Sequence, residues 1–286
     1  MFDRGQLSAY LKRIRHSPDV RPDLETLRSL QRAHLTWVPY ENIDIQLGRS
    51  LSLAPDALFD KVVTARRGGF CFEMNGTLAM ALRAVGFDVS YVEGGVGRQT
   101  AGERAWENHV VLLVDVAGQT MVTDAGLGDG FLEPLPLRVG EHRQGDFTYR
   151  LEQLDARTWR CFPDPHGSVQ SFDFRTTPCS LDDFAERCVE LSTSPESSFV
   201  KTLSALQPRH GSKLALRART VFTTGPSVAD GNGRRLLESR EEFAAMLAAF
   251  GIGEPTVGEP ELDVLWDKAR AQHEVWLAEQ ADANAG

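Results

Sequence analysis

The stretch R-G-G-F-C-F-E-M-N-G occupies residues 67–76 and places a cysteine just after two glycines that end the preceding helical pattern. A new helical pattern begins at Cys71 and stops at Gly86, a residue type common just past helix ends. The first turn of a helix carries free N–H groups and a partial positive charge, which stabilise an anion. We therefore expect a lowered pKa for the Cys71 thiol. On this stretch alone, a nucleophile and a small buried thiol fit equally well.

Composition narrows the class of protein. The chain has 286 residues and a net charge of −9. Its contents of 42% hydrophobic and 25% charged residues are typical of a soluble globular protein. An acidic chain has no general attraction for nucleic acid or anionic membranes, so neither partner is expected. The chain shows neither a signal-peptide pattern at its start nor an apolar run of about 18 residues. Four sparse cysteines indicate reduced thiols and predict a cytoplasmic protein. We expect either a monomer or a homodimer.

The spacing of apolar residues along the sequence divides the chain into three parts. The first 86 residues are mostly helical in pattern, the region from Asp88 to about Leu237 alternates with period two, and the remainder is mixed. Helix caps are predicted at Asp23, Ser180 and Ser239. Pro55 is predicted in the first turn of another helix. This order of elements indicates an α+β fold.

Three of the four cysteines have structural explanations. Cys188 lies on the apolar stripe of a predicted helix, and Cys179 stands just before a predicted helix cap. Cys161 shares a strand face with a tryptophan. Cys71 therefore remains the candidate nucleophile, and it needs a base and a group that orients the base.

His109 opens the most apolar strand pattern of the chain, H-V-V-L-L-V-D-V at residues 109–116. The next strand pattern, T-M-V-T-D-A, follows after a short loop that contains a glycine. A loop of two or four residues pairs Val111 with Asp124, and His109 shares the face of Val111. Asp124 then lies diagonally opposite His109, within reach of the imidazole. A loop of three residues would instead place Asp124 on the other face.

Other residues fit these roles less well. Asp115 lies about 20 Å further along the same strand at ~3.3 Å per residue, so it cannot orient His109. The other six histidines lie on apolar helical stripes or in loop-like contexts and are predicted to be structural or solvated. Asp129, in a glycine-rich turn, is predicted to be a turn or ligand residue.

The order thiol, base, carboxylate is that of papain-like and transglutaminase-like sites. The thiolate of Cys71 would attack a carbonyl, and the imidazole of His109 would take up the proton and return one to the leaving group. Asp124 would fix the tautomer and stabilise the imidazolium. A zinc site is not expected, because one Cys, one His and one Asp lack a fourth ligand and paired-cysteine spacing.

Three motifs extend this assignment: R-G-G-F-C at residues 67–71, P-Y-E-N at residues 39–42 and D-A-G-L-G at residues 124–128. In these motifs, and in the position of His109 between them, the sequence resembles the arylamine N-acetyltransferase family. The motifs stand in the family order. The individual motifs are weak signals, whereas their combination is specific.

The resemblance implies a fold of three parts around a transglutaminase- or papain-like Cys-His-Asp core. A helical bundle at residues 1–86 would carry the nucleophile. An antiparallel β-barrel-like domain at residues 87–195 would carry the histidine and the aspartate. An α/β lid with the C-terminal helix would occupy residues 196–286.

The resemblance also implies a ping-pong acyl transfer with acetyl-CoA as donor and no metal. The acetyl group would pass through Cys71 to an arylamine, arylhydrazine or arylhydroxylamine. Backbone N–H groups, including that of Cys71, would form the oxyanion hole. The substrate-binding residues would be Tyr40, Phe70, Gly126 and Leu127. A buried polar network that holds the Cys71 turn would consist of Arg67, Glu41 and Asn42.

Two positions depart from the family pattern, because Leu127 and Tyr40 stand where phenylalanine is common. A related group, the amide synthases that close ansamycin macrolactams, uses the same triad on a polyketide thioester, and Leu127 is compatible with its roomier cleft. A thiol hydrolase and a catalytically silent binding protein are further alternatives. The sequence does not place the CoA phosphates, and the basic candidates are predicted to be surface charges: Arg98, Arg104, Lys201 and Arg209.

Overall fold

The computed structural model describes residues 1–209, 211–229 and 232–285. The α-helices are α1 (Arg4–Arg13), α2 (Leu24–Trp37), α3 (Ile43–Gln46), α4 (Pro55–Phe59), α5 (Cys71–Val85), α6 (Arg98–Ala101), α7 (Ala185–Thr193), α8 (Ser198–Lys201), α9 (Arg240–Ala249) and α10 (Glu259–Ala285). Shorter turns are π-helical at Asp60–Thr64 and 3₁₀ at Gly102–Ala105 and Leu181–Phe184. Within these described ranges, no helix is both long and apolar enough to span a membrane.

The strands form two antiparallel sheets. They are β1 (Tyr40–Glu41), β2 (Asp88–Val96), β3 (His109–Val116), β4 (Gln119–Thr123), β5 (Leu135–Pro136), β6 (Gly140–Gln144), β7 (Phe147–Gln153), β8 (Thr158–Phe162), β9 (Phe172–Cys179), β10 (Ser204–Arg209), β11 (Ser212–Arg217), β12 (Thr220–Thr224) and β13 (Asn232–Leu236). The larger sheet has the order β5-β4-β3-β2-β9-β8-β7-β6, and the smaller sheet has the order β1-β10-β11-β12-β13.

The eight-stranded sheet curls into a nearly closed barrel, and its two edge strands follow one another in the chain. Only residues 137–139 separate β5 from β6. A flat sheet of eight strands would hold its edges about 33 Å apart at ~4.8 Å per strand, whereas three extended residues span only about 10 Å. The predicted α+β fold with a barrel-like middle is confirmed.

The two faces of β3 are buried in different cores. On β3, Val111 and Leu113 belong to the barrel interior, whereas Val110, Leu112 and Val114 pack against the helices α1, α2 and α5. The predicted burial of this strand on both faces is therefore confirmed. A third core lies between the smaller sheet and the helices α9 and α10. The division of the chain after residues 86 and 195 stays a prediction.

The local signals at helix starts are confirmed. The side chains of Asp23, Ser180 and Ser239 each accept a backbone N–H of the turn that follows. Pro55 stands at the first position of α4, where its missing N–H costs no hydrogen bond. Gly86 ends α5 with a φ of 109°, in the left-handed region that favours glycine.

The helix that begins at Pro55 ends before the glycine pair. Its last turn, Asp60–Thr64, widens into a π-helix. The buried guanidinium of Arg13 donates to the carbonyl oxygens of Val62 (3.1 Å) and Arg66 (3.0 Å). These contacts satisfy carbonyl groups that a helix end leaves free. The hydrophobic pattern of this helix gave no sign of the partner, because α1 is distant in sequence.

Candidate active site

Cys71 is the first residue of α5, and the turn before it requires two glycines. A methyl group on Gly68 would lie 1.8 Å from the carbonyl oxygen of Pro39. One on Gly69 would lie 2.6 Å from a carboxylate oxygen of Glu73. The glycine pair therefore lets the segment before Cys71 cross the Pro39 segment in direct backbone contact. At the first helical position, the N–H of Cys71 has no acceptor within its own helix.

The hairpin that carries His109 has the predicted register. Its loop consists of two residues, Ala117 and Gly118, whose positive φ values of 51° and 75° match a type I′ turn. Leu112 lies opposite Thr123, and Asp124 is the first residue after the end of β4. The Nε2 atom of His109 is 2.7 Å from Oδ2 of Asp124. The predicted contact between these side chains is confirmed, and Nδ1 is the ring nitrogen left for a second partner.

Asn75 holds the second oxygen of Asp124. Its Nδ2 donates to Oδ1 of Asp124 (2.8 Å) and to the carbonyl oxygen of Val110 (2.7 Å), and its Oδ1 accepts from the N–H of Ala125 (2.8 Å). The N–H of Gly126 also donates to Oδ1 of Asp124 (2.7 Å). The Asp124 cluster is defined as Asp124, His109, Asn75 and Gly126. Sequence reasoning missed Asn75, although it stands one helical turn after Cys71.

Gly126 brings the two halves of the site together. A methyl group there would lie 2.7 Å from Nδ2 of Asn75, 3.0 Å from Cα of Cys71 and 3.0 Å from Cε1 of His109. The helix that carries the thiol and the hairpin that carries the imidazole therefore meet over one glycine. A side chain at this position would push the thiol and the imidazole apart.

Cys71 and His109 open into a cavity of about 400 Å³. This volume lies within the range of about 300–1,000 Å³ found for ligand pockets. Of the four predicted substrate-binding residues, Tyr40, Gly126 and Leu127 line the cavity. Phe70 does not. The other lining residues are Val96, Asn108, Ser168, Val169, Arg187, Leu191, Ser198, Phe199, Thr202, Ser204, Leu206 and Arg217.

Phe70 is fully buried and packs edge-on against Phe72 and Phe199. As the cap residue before α5 it has extended backbone, and its side chain enters the core beneath the cavity wall. Phe199 takes the lining position instead. The prediction of direct substrate contact by Phe70 is therefore wrong.

A second polar group holds the turn before Cys71. The guanidinium of Arg67 donates to Glu41 Oε1 from two nitrogens (2.9 and 2.7 Å) and to Asp44 Oδ1 (3.1 Å). The N–H of Glu41 donates to the carbonyl oxygen of Gly69 (2.9 Å). The predicted contact of Arg67 with Glu41 beside this turn is confirmed.

The side chain of Asn42 does not contact the turn before Cys71. Its Nδ2 donates to the carbonyl oxygens of Phe199 (2.9 Å) and Thr202 (2.8 Å), and its Oδ1 accepts from the N–H of Ser204 (2.8 Å). The prediction that Asn42 holds the Cys71 turn is wrong. The asparagine instead satisfies the backbone where α8 leads into β10, because it directly follows β1 and faces that connection.

The polar group around Arg67 extends through two residues that sequence reasoning missed. Lys61 lies 2.7 Å from Asp44 and 2.7 Å from Glu73. Glu73 also accepts the N–H of Phe70 (3.1 Å), which caps α5. The Arg67 network is defined as Arg67, Glu41, Asp44, Lys61 and Glu73. The π-helical turn carries Lys61 into this network, and no sequence spacing indicated that contact.

The thiol is not ionised by its helix position alone. Burial raises the pKa of Cys71 well above its ordinary value, and nearby Cys188 and Asp124 raise it further, while the N–H of Phe72 acts in the opposite direction. The predicted lowering of the pKa is therefore wrong. Proton transfer from the thiol to His109 creates no net charge, so an internal base avoids most of the burial penalty. Sγ of Cys71 donates to the carbonyl oxygen of Asn108 (3.7 Å).

Behind Ser168, which lines the cavity, lie a buried acid and a buried amine. Asp129 accepts from the N–H of Ser168 (2.8 Å) and from its hydroxyl (2.8 Å). Lys213 is 2% exposed, and its ammonium lies 5.2 Å from the ring centre of Phe147. Burial raises the pKa of Asp129 and lowers that of Lys213. Asp129 therefore fixes Ser168, which lines the cavity.

The remaining thiols behave as predicted. Cys161 and Cys188 are buried and Cys179 is half-buried, and burial raises the pKa of both Cys179 and Cys188 to about 12. One histidine differs from its prediction: His142 is buried on β6, with Nε2 2.9 Å from the carbonyl oxygen of Arg138. His210 lies outside the described residues.

Comparisons with known proteins find similar acetyltransferases. A profile of the N-acetyltransferase family matches residues 23–253. The arylamine N-acetyltransferase of Mycolicibacterium smegmatis is 34% identical over 224 residues, which are 75% of this chain and 81% of that protein. The Salmonella typhimurium arylamine N-acetyltransferase / N-hydroxyarylamine O-acetyltransferase is 39% identical over 155 residues, 54% of this chain. The match spans 55% of the length of the Salmonella protein.

Solved structures show the same fold over nearly the whole chain. The arylamine N-acetyltransferase of Salmonella typhimurium superimposes with a TM-score of 0.83 at 28% identity, covering 94% of this chain and 100% of its own. The arylamine N-acetyltransferase of Mycobacterium marinum, in complex with CoA, superimposes with a TM-score of 0.82 at 28% identity. The superposition covers 92% of this chain and 98% of the Mycobacterium marinum chain.

Proposed function

Because the chain belongs to the arylamine N-acetyltransferase family, we propose that it transfers an acetyl group from acetyl-CoA to the nitrogen of an arylamine or arylhydrazine. The observation that carries this proposal is the meeting of Cys71 with the paired His109 and Asp124 at one cavity. A relative that binds CoA in the same fold supports the choice of donor.

The first half-reaction acylates the thiol. The proton of Cys71 passes to Nδ1 of His109, because Nε2 is bonded to Asp124. The thiolate attacks the thioester carbonyl, and the N–H of Cys71 faces the developing oxyanion. The carbon–sulfur bond to CoA then breaks, and the imidazolium returns its proton to the departing thiolate of CoA. The products are acetyl-Cys71 and free CoA.

The second half-reaction transfers the acetyl group. The amine nitrogen attacks the acetyl carbon of acetyl-Cys71, and His109 accepts a proton from the nitrogen. The carbon–sulfur bond to Cys71 breaks, and the thiolate recovers a proton from the imidazolium. The name of the Salmonella relative includes O-acetyl transfer to N-hydroxyarylamines, which makes arylhydroxylamines a second acceptor class for this chain. The similar proteins are acetyltransferases by name, which disfavours a polyketide amide synthase.

Intact-mass measurement after incubation with acetyl-CoA tests the proposal. We expect one added acetyl group on the unmodified protein and none on Cys71→Ser. Cys179→Ser, which removes a half-buried thiol outside the cavity, is the matched control and should acetylate normally. Addition of an arylamine should discharge the adduct and yield the N-acetylated amine.

Three outcomes would contradict the proposal. Acetylation that survives in Cys71→Ser would place the acceptor elsewhere. An adduct that only water discharges would favour a thiol hydrolase. Absence of any adduct with acetyl-CoA, together with cyclisation of a polyketide thioester, would favour the amide synthase.

A further inference from the structure

One loop of the cavity wall is joined to both sheets. Ser168 lines the cavity from the connection between β8 and β9. In that connection, Asp164 accepts the backbone N–H of Thr148 on β7 (2.9 Å), and the carbonyl oxygen of His166 accepts the hydroxyl of Thr224 on β12 (2.6 Å). These contacts tie the loop to the barrel and to the smaller sheet. Ser168 therefore stands in a fixed segment, although loop residues are commonly mobile.

The hydroxyl of Ser168 has a fixed direction. It donates to Oδ1 of Asp129 (2.8 Å), and the backbone N–H of Ser168 donates to Oδ2 of the same carboxyl group (2.8 Å). Both oxygens of Asp129 accept, which is the pattern of an ionised carboxylate. A serine hydroxyl has one proton and two lone pairs. Because the proton is directed to Asp129, Ser168 offers only lone pairs to a ligand in the cavity.

A buried cation favours this arrangement. Lys213 is 2% exposed, and a methyl group on Gly167 would lie 2.9 Å from its Nζ. Gly167 therefore leaves the room that the ammonium needs, directly before Ser168 in the chain. Burial raises the pKa of Asp129, and the positive charge of Lys213 acts in the opposite direction. The cation thus supports the carboxylate form, in which Asp129 accepts from Ser168 and cannot donate to it.

The hydroxyl of Ser168 is suited to orient a ligand. Ser168 is exposed to the cavity, so its lone pairs are accessible. A ligand that covers Ser168 removes water from these lone pairs, and a ligand that offers a hydrogen-bond donor there is favoured over an isostere without one. Polar groups of this kind fix the orientation of a ligand among apolar ones. Six apolar side chains share the lining: Val96, Leu127, Val169, Leu191, Phe199 and Leu206.

We propose that Ser168 is a specificity-determining residue of the second half-reaction and favours arylamines that carry a hydroxyl or a second amino group on the ring. This substituent donates a hydrogen bond to Ser168 while the reacting nitrogen faces acetyl-Cys71. The inference rests on the proposed function, because it names the acceptor class of the same cavity.

The test compares amines of similar reactivity that differ in hydrogen bonding. In para-aminophenol the ring carries a donor, and para-methoxyaniline replaces the donor hydrogen by a methyl group. The meta isomers form a second pair. We expect the unmodified protein to favour the aminophenol of at least one pair in kcat/KM for the amine. In Ser168→Ala this preference should fall about fivefold, through the loss of one neutral hydrogen bond.

The value of kcat/KM for acetyl-CoA is measured in parallel. It should stay unchanged in Ser168→Ala, because in a ping-pong reaction it reports only the first half-reaction. In Asp129→Asn the new amide can donate to the hydroxyl of Ser168 and turn its proton towards the cavity. The preference for the aminophenol should therefore fall in Asp129→Asn as well.

Ser171→Ala is the matched control and should leave the preference unchanged. Ser171 lies on the same loop outside the cavity lining, and its hydroxyl donates to Gln99 (2.8 Å). The inference is wrong if neither pair shows a preference, if Ser168→Ala lowers kcat/KM for both amines of a pair equally, or if Ser171→Ala acts as strongly.

Two further outcomes separate this inference from the proposed function. A fall in kcat/KM for acetyl-CoA in Ser168→Ala, without a change in the amine preference, would place Ser168 at the acyl donor and would also refute the inference. Failure of acetyl-CoA to acetylate Cys71 in the unmodified protein would refute the proposed function itself.

Discussion

Two buried polar groups flank Cys71, and they differ in charge. The Asp124 cluster contains one carboxylate, and its partners are an imidazole, a side-chain amide and the backbone N–H of Gly126. The Arg67 network contains three carboxylates and two cations in direct contact. The cluster can gain a proton at His109 without breaking an ion pair. In the network, a change of charge on any of the five side chains breaks at least one ion pair. One group is thus suited to proton transfer and the other to holding a turn.

The largest expected effect concerns rate at the Asp124 cluster. Asp124→Asn should lower kcat by about 10⁴-fold while the unfolding midpoint changes little, because the amide no longer stabilises the imidazolium or its tautomer. Steady-state kinetics and urea unfolding measure the two quantities. Asp115→Asn removes an exposed carboxylate of the same hairpin and should leave kcat unchanged. A near-normal rate for Asp124→Asn would mean that another group orients His109.

The second prediction concerns the protonation of the thiol. In His109→Asn, alkylation of Cys71 by iodoacetamide should be slow at neutral pH and should rise about tenfold per pH unit. Burial raises the pKa of Cys71, so without an imidazole the thiolate forms only at alkaline pH. In the unmodified protein, proton transfer to His109 should keep the rate high and nearly constant over the same range. If the alkylation rate of Cys71 depended on pH in the same way in both proteins, His109 would not be the base.

The third prediction concerns stability at the Arg67 network. Arg67→Met should lower the free energy of unfolding by about 3–5 kcal/mol, because Glu41, which is fully buried, loses its counter-ion. Arg49→Met is the matched control: Arg49 is partly exposed beside Asp44, so its loss should cost about 0–1 kcal/mol. Equal losses from the two variants would mean that burial does not distinguish these arginines.

The smallest expected effect concerns Asn75, which joins the thiol-bearing helix to the Asp124 cluster. Asn75→Ala should lower kcat by about 10²-fold through misplacement of Asp124, with little change in the KM for the amine. An unchanged kcat with a lowered unfolding midpoint would indicate a purely structural role of the Asn75 hydrogen bond to Asp124.

The sequence predicted those parts of the site that depend on short-range geometry. A two-residue loop that contains one glycine determines the hairpin register. The contact between His109 and Asp124 could therefore be predicted from their positions relative to this loop. The alternating strands and the helix caps were equally local. Cytoplasmic location and the choice between monomer and homodimer stay predictions.

The parts that could not be predicted depend on distant packing or on burial. Lys61 joins the Arg67 network through an unforeseen π-helical turn, and Arg217 reaches the cavity from the smaller sheet. The pKa of Cys71 depends on how deeply the fold buries the thiol, which the helix start does not reveal. Phe70 and Asn42 were misassigned because a motif gives residue order but not the direction of each side chain.

The two-residue strand β1 has a consequence for biosynthesis. It pairs with β10 on one side and forms a bridge from Tyr40 to Gly69 on the other. Across the pairing with β10, Tyr40 lies opposite Leu206 and Glu41 opposite Ala205, far later in the chain. On the ribosome, the helices around Cys71 emerge long before β10. The β1 segment that contacts the turn before Cys71 therefore lacks its pairing with β10 until most of the chain is synthesised. A nascent chain that stalls before β10 would expose an unanchored thiol to oxidants and to chaperones.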